Sequence, residues 1–156
     1  MRKRIIDQGS KEPSTDQTWL DLERIATVEV TSEEAEHPIE SALIPGGTSG
    51  WLAGEAGEQT IRLLFDEAAV LARIHLVFEE KWHQRTHQFL LTWSEDVGGP
   101  RREIVRQQYT FAPPDTTVEV EDYKVSLSGV RLLELRIIPD IGGGNARASL
   151  ASMRLG

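Results

Sequence analysis

The densest group of chemically versatile side chains lies between residues 79 and 87, where the chain reads Glu-Glu-Lys-Trp-His-Gln-Arg-Thr-His. An indole ring stacks on the apolar face of a sugar, while carboxylate, imidazole and guanidinium groups hydrogen-bond its hydroxyls. This combination indicates a carbohydrate-binding loop. The alternative is a solvated loop in which the tryptophan lies over the edge of the domain and the charges face water. The candidate ligand-binding residues are Glu80, Trp82, His83, Arg85 and His87.

The two histidines of this loop also suggest a metal site. The segment from His83 to His87 resembles the zinc-protease pattern His-Glu-x-x-His, but Gln84 stands where that pattern has its general base. The pattern also needs a helix to bring both imidazoles to one face, whereas His87 opens a predicted strand. We therefore do not expect metal-dependent hydrolysis.

Other segments carry no recognisable catalytic motif. The acidic cluster Glu33, Glu34 and Glu36 lacks the spaced oxygen ligands and the glycine of a calcium-binding loop. The glycines at 46–47 and 142–144 are not followed by the Gly-Lys-Ser/Thr of a phosphate-binding loop, so we interpret both as turns. No serine has a nucleophile signature around it. We predict that the protein is not an enzyme and that it holds no metal or cofactor.

The elements on either side of the 79–87 loop are predicted to be strands. Apolar and polar residues alternate over 73–79 and over 87–94, which is the period of a half-buried strand. Further strands are predicted at 26–31, 59–65, 104–109, 118–127, 130–138 and 148–155, with a short helical segment around residues 19–25. About eight strands separated by glycine- and proline-containing turns are typical of an all-β sandwich or barrel.

Strand counting also predicts where the loops lie. If each strand crosses the sandwich once, alternate loops share an end. The loops at 79–87, 109–117 and 138–148 should then lie together, and those at 66–72 and 95–102 should lie at the opposite end. Function in such folds usually resides in one cluster of loops held by a rigid core.

Length and charge limit the possible partners. The chain has 156 residues, enough for one domain at 18–156 after a polar leader at 1–17. Its formal net charge of −8 argues against a nucleic-acid binder, which must neutralise phosphates, and against adsorption to anionic membranes. The sequence contains no cysteine and begins without the apolar run of a signal peptide. These features predict a cytoplasmic location, with a glycan or a protein as the ligand.

From residue 25 to 155 the chain resembles the discoidin family, also called the coagulation factor 5/8 type C or galactose-binding-like domain. The resemblance rests on an ordered set of short elements. They are the first strand ending in Ser32, the segment 37–44, the Thr48-x-x-Trp51 element, the strand 59–65, the segment 85–94 with its Arg, Phe, Leu and Ser, and the terminal Ala-Ser-Leu strand at 148–155.

The resemblance implies a single jelly-roll β-sandwich of about eight mainly antiparallel strands, with ligand loops clustered at one end. Family members bind glycans, phospholipids or proteins. Two departures concern the structural calcium site of the family: Pro45 replaces an aspartate and Ser152 replaces a glutamate. Because both carboxylates are missing, a structural calcium ion is not expected; the alternative is weak binding by backbone carbonyls alone. The 79–87 loop is charged, whereas membrane-inserting members expose apolar loop tips, which disfavours phospholipid as the ligand.

The sequence therefore predicts a non-catalytic binding module, with carbohydrate as the leading ligand and the 79–87 loop as the site. An intracellular scaffold for protein–protein interaction, using the same loops or a sheet face, is the alternative.

Overall fold

The computed structural model describes residues 19–46 and 49–156. The predicted leader at 1–17 and Thr48 lie outside these ranges. Two short helices precede most of the strands, α1 (Leu22–Ile25) and α2 (Glu40–Leu43). The strands are β1 (Ala26–Val30), β2 (Trp51–Leu52), β3 (Gln59–Glu79), β4 (Arg85–Ser94), β5 (Arg102–Phe111), β6 (Val118–Ile138), β7 (Ser149–Leu150) and β8 (Ser152–Leu155).

The strands form a larger sheet and a two-stranded ribbon. The larger sheet has the order β1-β3-β6-β4-β5, and β8 pairs with β3; the ribbon consists of β2 and β7. All strand pairs in the sheet and the ribbon are antiparallel. The architecture is an all-β jelly-roll sandwich, as the sequence predicted.

Strands β3 and β6 pass from one layer of the sandwich to the other. The first half of β3 pairs with β1 and with the second half of β6, whereas 73–79 pairs with 118–124 and with β8. Register shifts between Leu64 and Arg73 mark the bend. The sequence predicted two separate strands in place of β3 and two in place of β6. In the structure the hydrogen-bonded ladder between β3 and β6 continues through the bend. Conversely, the predicted strand at 148–155 divides into β7 and β8, which join different sheets.

The core lies between the two layers. It consists mainly of the inward-facing apolar residues of β3, β4 and β6, with contributions from both helices and from the short strands. The largest fully buried members are Trp51, Phe78, Phe89, Phe111, Ile61, Leu63, Leu71, Ile74, Leu76, Leu91, Leu132 and Leu133. Such a core gives rigid support to the loops that leave it.

The loops cluster as strand counting predicted. The Glu80 N–H donates to the Thr117 carbonyl at 2.8 Å, and the Ile141 N–H donates to the Thr86 carbonyl at 2.8 Å. These bonds join the loops 79–87, 109–117 and 138–148 at one end, which we call the binding end. At the other end the bend of β6 at Gly129 lies close to Glu95, in the loop after β4. Among the described residues, no helix is long and apolar enough to cross a membrane.

Candidate functional site

A cleft of about 560 Å³ opens at the binding end. We call it the first cavity. The loop after β3, the loop after β6 and the ribbon strand β2 all contribute to its wall. Its lining residues are Leu52, Glu80, Trp82, His83, Gln84, Arg85, Asp140, Gly143, Gly144, Asn145, Ala146 and Arg147. The volume lies within the range of about 300–1,000 Å³ that is typical of small-molecule sites.

Trp82 is the most prominent side chain of this cleft. It is 80% exposed, the highest value for any large apolar residue in the described part of the chain. The other tryptophans differ in this respect, since Trp51 and Trp93 are buried in the core and Trp19 is only partly exposed. Leaving an indole in water forgoes the free energy of burying its large apolar surface. Trp82 therefore offers a flat stacking surface to a ligand.

Glu80 holds the loop that carries Trp82. Its Oε2 accepts the backbone N–H of Trp82 at 3.0 Å and that of His83 at 3.2 Å. Its Oε1 accepts the Nε–H of Arg85 at 2.6 Å. One carboxylate thus bonds three groups that follow it within five residues, and the backbone conformation beneath the indole is fixed.

The charge state of Glu80 follows from these bonds. Burial by itself raises the pKa of this carboxyl group. The hydrogen bond from Arg85 and those from the backbone N–H groups of Trp82 and His83 act in the opposite direction and outweigh burial, so the pKa lies below its usual range. Glu80 is therefore ionised at neutral pH.

Arg85 forms the buried polar floor of the cleft. Its side chain is only 3% exposed. Besides the bond to Glu80, it donates from Nη1 to the Pro139 carbonyl at 2.8 Å and from Nη2 to the Ser149 Oγ at 3.3 Å. The guanidinium also lies 5.2 Å from the centre of the Phe111 ring. The group is fixed in position, and its remaining N–H hydrogens are suited to donate to a ligand oxygen.

The structure corrects the expectation for His87, which does not line the cleft. It is 1% exposed, and its Nε2 lies 2.6 Å from the Glu119 Oε1. Its ring packs edge-on against Phe78 and Phe111, with centroids 4.6 and 5.0 Å apart. Alternation along β4 turns His87 inward on the same face as Arg85 and Phe89. Burial and the nearby charge of Arg85 lower its pKa to about 4.

The other predicted residues, Glu80, Trp82, His83 and Arg85, are brought together in the first cavity. Sequence reasoning missed the opposite wall, which includes Asp140, Asn145 and Arg147 from the loop after β6. Strand counting had placed that loop at the same end. The polar side chains of the predicted 138–148 loop, taken together with that shared end, were the signal that could have identified these three residues.

A metal centre is not suggested by the described residues. Across 19–46 and 49–156, no group of three His, Asp or Glu side chains is arranged so that it could hold a metal ion.

Comparison with known proteins places the fold. The sequence matches no family model, and no curated protein is similar to it at a significant level. Solved structures do match. The family 32 carbohydrate-binding module of Clostridium perfringens NanJ in complex with galactose has a TM-score of 0.63 and 16% identity, over 88% of this chain and 97% of that one. The chain shares its fold with family 32 carbohydrate-binding modules.

Two further modules of this fold match equally well. The module CBM32-5 of GH89 from Clostridium perfringens, in complex with GalNAc-β-1,3-galactose, has a TM-score of 0.63 and 18% identity, over 88% of this chain and 99% of that one. The family 32 module of AlyQ, in complex with 4,5-unsaturated mannuronic acid, has a TM-score of 0.63 and 15% identity, over 89% and 98%. These modules have the galactose-binding-like fold that the resemblance implied, whereas membership of the discoidin family stays a prediction.

Proposed function

We propose that the protein is a non-catalytic carbohydrate-binding module whose sugar lies in the first cavity against Trp82. The observation that carries this proposal is an indole 80% exposed beside an arginine whose side chain is 3% exposed, in a cleft between loops. Three matching modules of the same fold were solved with galactose, GalNAc-β-1,3-galactose and 4,5-unsaturated mannuronic acid, which supports a glycan as the ligand.

Six of the lining residues have a role in this proposal. Trp82 stacks against the apolar face of a pyranose ring, and Arg85 donates to a ring or hydroxyl oxygen. His83 and Asn145 hydrogen-bond further hydroxyls, and Asp140 accepts from one. Glu80 does not need to contact the sugar, because its oxygens already accept from Arg85 and from the loop backbone. Glu80 is therefore a positioning residue.

Titration of intrinsic fluorescence with a panel of sugars tests the proposal. Trp82 is the most exposed indole, so a stacked sugar should shift its emission to shorter wavelength. Trp82→Ala should abolish that shift and weaken binding at least about tenfold, or about 1.4 kcal/mol. Trp82→Phe keeps an aromatic face and should retain part of the affinity. Val120→Ala truncates another exposed apolar residue, away from the cleft, and serves as the control.

The outcome that would contradict a carbohydrate-binding function is equally clear. If no sugar at millimolar concentration changes the emission or produces heat in calorimetry, the proposal fails. The same holds if a sugar binds with equal affinity to the wild-type protein and to Trp82→Ala.

A further inference from the structure

A second cavity of about 380 Å³ adjoins the first one. The two cavities have five lining residues in common, namely Leu52, Glu80, Trp82, Arg85 and Arg147. They are therefore neighbouring lobes of one cleft, and Trp82 borders both. The second cavity extends towards the ribbon and α2, where His37, Ser49, Lys81 and Ser149 complete its wall together with Trp51 and Glu79.

The size of this cleft exceeds what one sugar ring requires. Each lobe alone lies within the range of about 300–1,000 Å³ that holds drug-sized ligands, and a single hexose is smaller than such a ligand. A ring stacked on Trp82 in the first cavity would leave the second cavity filled with water. A linked sugar unit can displace that water and add contact area.

The second cavity contains two loosely held cations. The Lys81 Nζ lies 3.9 Å from Glu79, and an Arg147 Nη1 lies 3.7 Å from Glu34, both longer than a hydrogen bond. Their side chains are 60% and 47% exposed, so these ion pairs are weak and exchange readily with solvent. Arg85 differs, because its side chain is buried and its Nε–H donates to Glu80 at 2.6 Å.

The carboxylates of this cavity do not cancel the two cations. Glu80 already forms an ion pair with Arg85 and accepts hydrogen bonds from two backbone N–H groups. Glu79 is the other acid in the wall, and 44% of its side chain is exposed, which lets it turn into water. The net charge of −8 for the chain opposes anions only weakly here, because exposed charges farther away than about 8 Å are largely screened at physiological salt.

We propose that the cleft binds an acidic oligosaccharide, with one unit stacked on Trp82 in the first cavity and a linked unit placing its carboxylate between Lys81 and Arg147 in the second. A uronic acid is the ligand class with this chemistry. The Arg147 guanidinium offers two parallel N–H groups to a carboxylate, and Lys81 adds a second positive charge. This inference rests on the proposed carbohydrate-binding function and specifies its ligand.

Calorimetric titration of the full chain tests the inference with matched ligands. The probes are the acidic disaccharides of galacturonic, mannuronic and glucuronic acid, their uncharged methyl esters, and the corresponding monosaccharides. At least one acidic disaccharide should bind more than fivefold tighter than both its methyl ester and its monosaccharide. That advantage should shrink as salt is raised, because the contact is made with exposed charges.

Variants of the second cavity test whether its cations cause the tighter binding of the acidic disaccharide. Lys81→Ala and Arg147→Ala should each bring the acidic disaccharide close to the affinity of its methyl ester. Lys124→Ala and Arg106→Ala remove the same charges from exposed sites outside the cleft, where Arg106 also has only a loose partner, Glu103 at 3.4 Å. These two control variants should keep the full preference for the acid.

The results separate this inference from the function on which it rests. Binding that depends on Trp82 but shows no preference for the acid over the ester, or none for the disaccharide over the monosaccharide, overturns the inference and leaves the carbohydrate-binding function standing. A preference for the acid that survives both Lys81→Ala and Arg147→Ala also overturns it. Absence of binding to every probe and every neutral sugar overturns both.

Discussion

Among the single residues of the site, Glu80 has the greatest structural influence, although its predicted role was ligand binding. Its two oxygens accept from Arg85 and from the backbone beneath Trp82. Arg85 in turn bonds the Pro139 carbonyl, which ties the loop after β6 to the same group. The stacking surface and the opposite wall of the cleft are therefore positioned through one carboxylate.

Glu80→Gln tests this role. The amide keeps a single acceptor oxygen and no charge, so the buried Arg85 loses its counter-charge. We expect a loss of about 2 kcal/mol in the free energy of unfolding, within the range for hydrogen bonds to charged groups. Sugar affinity should fall as well, because the loop under Trp82 loosens. Urea denaturation at neutral pH measures the first effect, and calorimetry measures the second.

Glu79→Gln is the matched control for stability, since Glu79 is the adjacent residue and its side chain is 44% exposed. It should change the free energy of unfolding very little. The effect of Glu80→Gln should also depend on pH. Because the folded-state pKa of Glu80 is lowered, its contribution is present at neutral pH and is lost as the pH falls through that value. Equal stability of the two variants at neutral pH would contradict the assigned role.

The residues of the 79–87 loop show what a sequence pattern can and cannot predict. The mixture of aromatic and charged types identified the loop, and four of its five candidates line one cleft. The inward orientation of His87 follows from the alternation of β4, in which it shares a face with Phe89, but its residue type grouped it with the polar loop.

In the first half of strand β6 the side chains face the opposite way from what their polarity suggests. In its first half, Val118 and Val120 are 42% and 58% exposed, whereas Glu119 is 2% exposed. Glu121 shares the inward face with Glu119 and accepts a hydrogen bond from Gln107 Nε2 at 3.4 Å. Alternation identified the strand correctly, but composition would have placed the valines inside. With its valines facing outward, β6 turns Glu119 inward, where the carboxylate contacts the buried His87.

This inward pair of carboxylates should make stability depend on pH. Burial raises the pKa of Glu119, and the neighbouring Glu119 carboxyl, with burial, raises the pKa of Glu121 from 4.5 to about 7. The unfolded chain ionises Glu121 near pH 4.5, so between that value and about 7 the folded protein binds more protons. The stabilising contribution of the protonated group is therefore lost as the pH rises through this window.

Glu121→Gln mimics the protonated acid and should remove this loss. Relative to the wild-type protein, the variant should gain melting temperature progressively from about pH 5 to about pH 8, by several degrees in total. His87 has a lowered pKa and contributes the opposite trend in both proteins. The Glu121 charge raises the His87 pKa, so its removal lowers that pKa further and acts in the same direction as the expected gain. Glu103→Gln, at an exposed site of β5, is the control. A difference that does not change with pH would show that Glu121 does not titrate in this range.

Across the molecule, the cleft and the bend of β3 and β6 lie at opposite ends of the sandwich. The positions of most extended segments and the order of the loops were predictable, because glycine and proline turns and a period of two are local signals. The continuity of β3 and β6 from one layer to the other was not. It depends on how two distant segments pair through a bend, and the sequence around residues 65–72 and 125–130 looks like an interruption.

Gly129 lies at this bend and supplies the final test of that separation. Its φ of +76° is in the left-handed region that side chains with a Cβ disfavour, and a Cβ there would lie 3.4 Å from the Glu95 carboxylate, a flexible side chain able to move. Gly129→Ala should therefore cost about 1–2 kcal/mol of backbone strain. That corresponds to a fall of roughly 2–8 °C in melting temperature at this chain length.

Because the bend is at the end of the sandwich away from the cleft, sugar affinity below the transition should stay within about twofold of wild type. A loss of affinity in Gly129→Ala comparable to that in Glu80→Gln would show that the bend and the cleft are coupled through the core, and that the two ends do not behave independently.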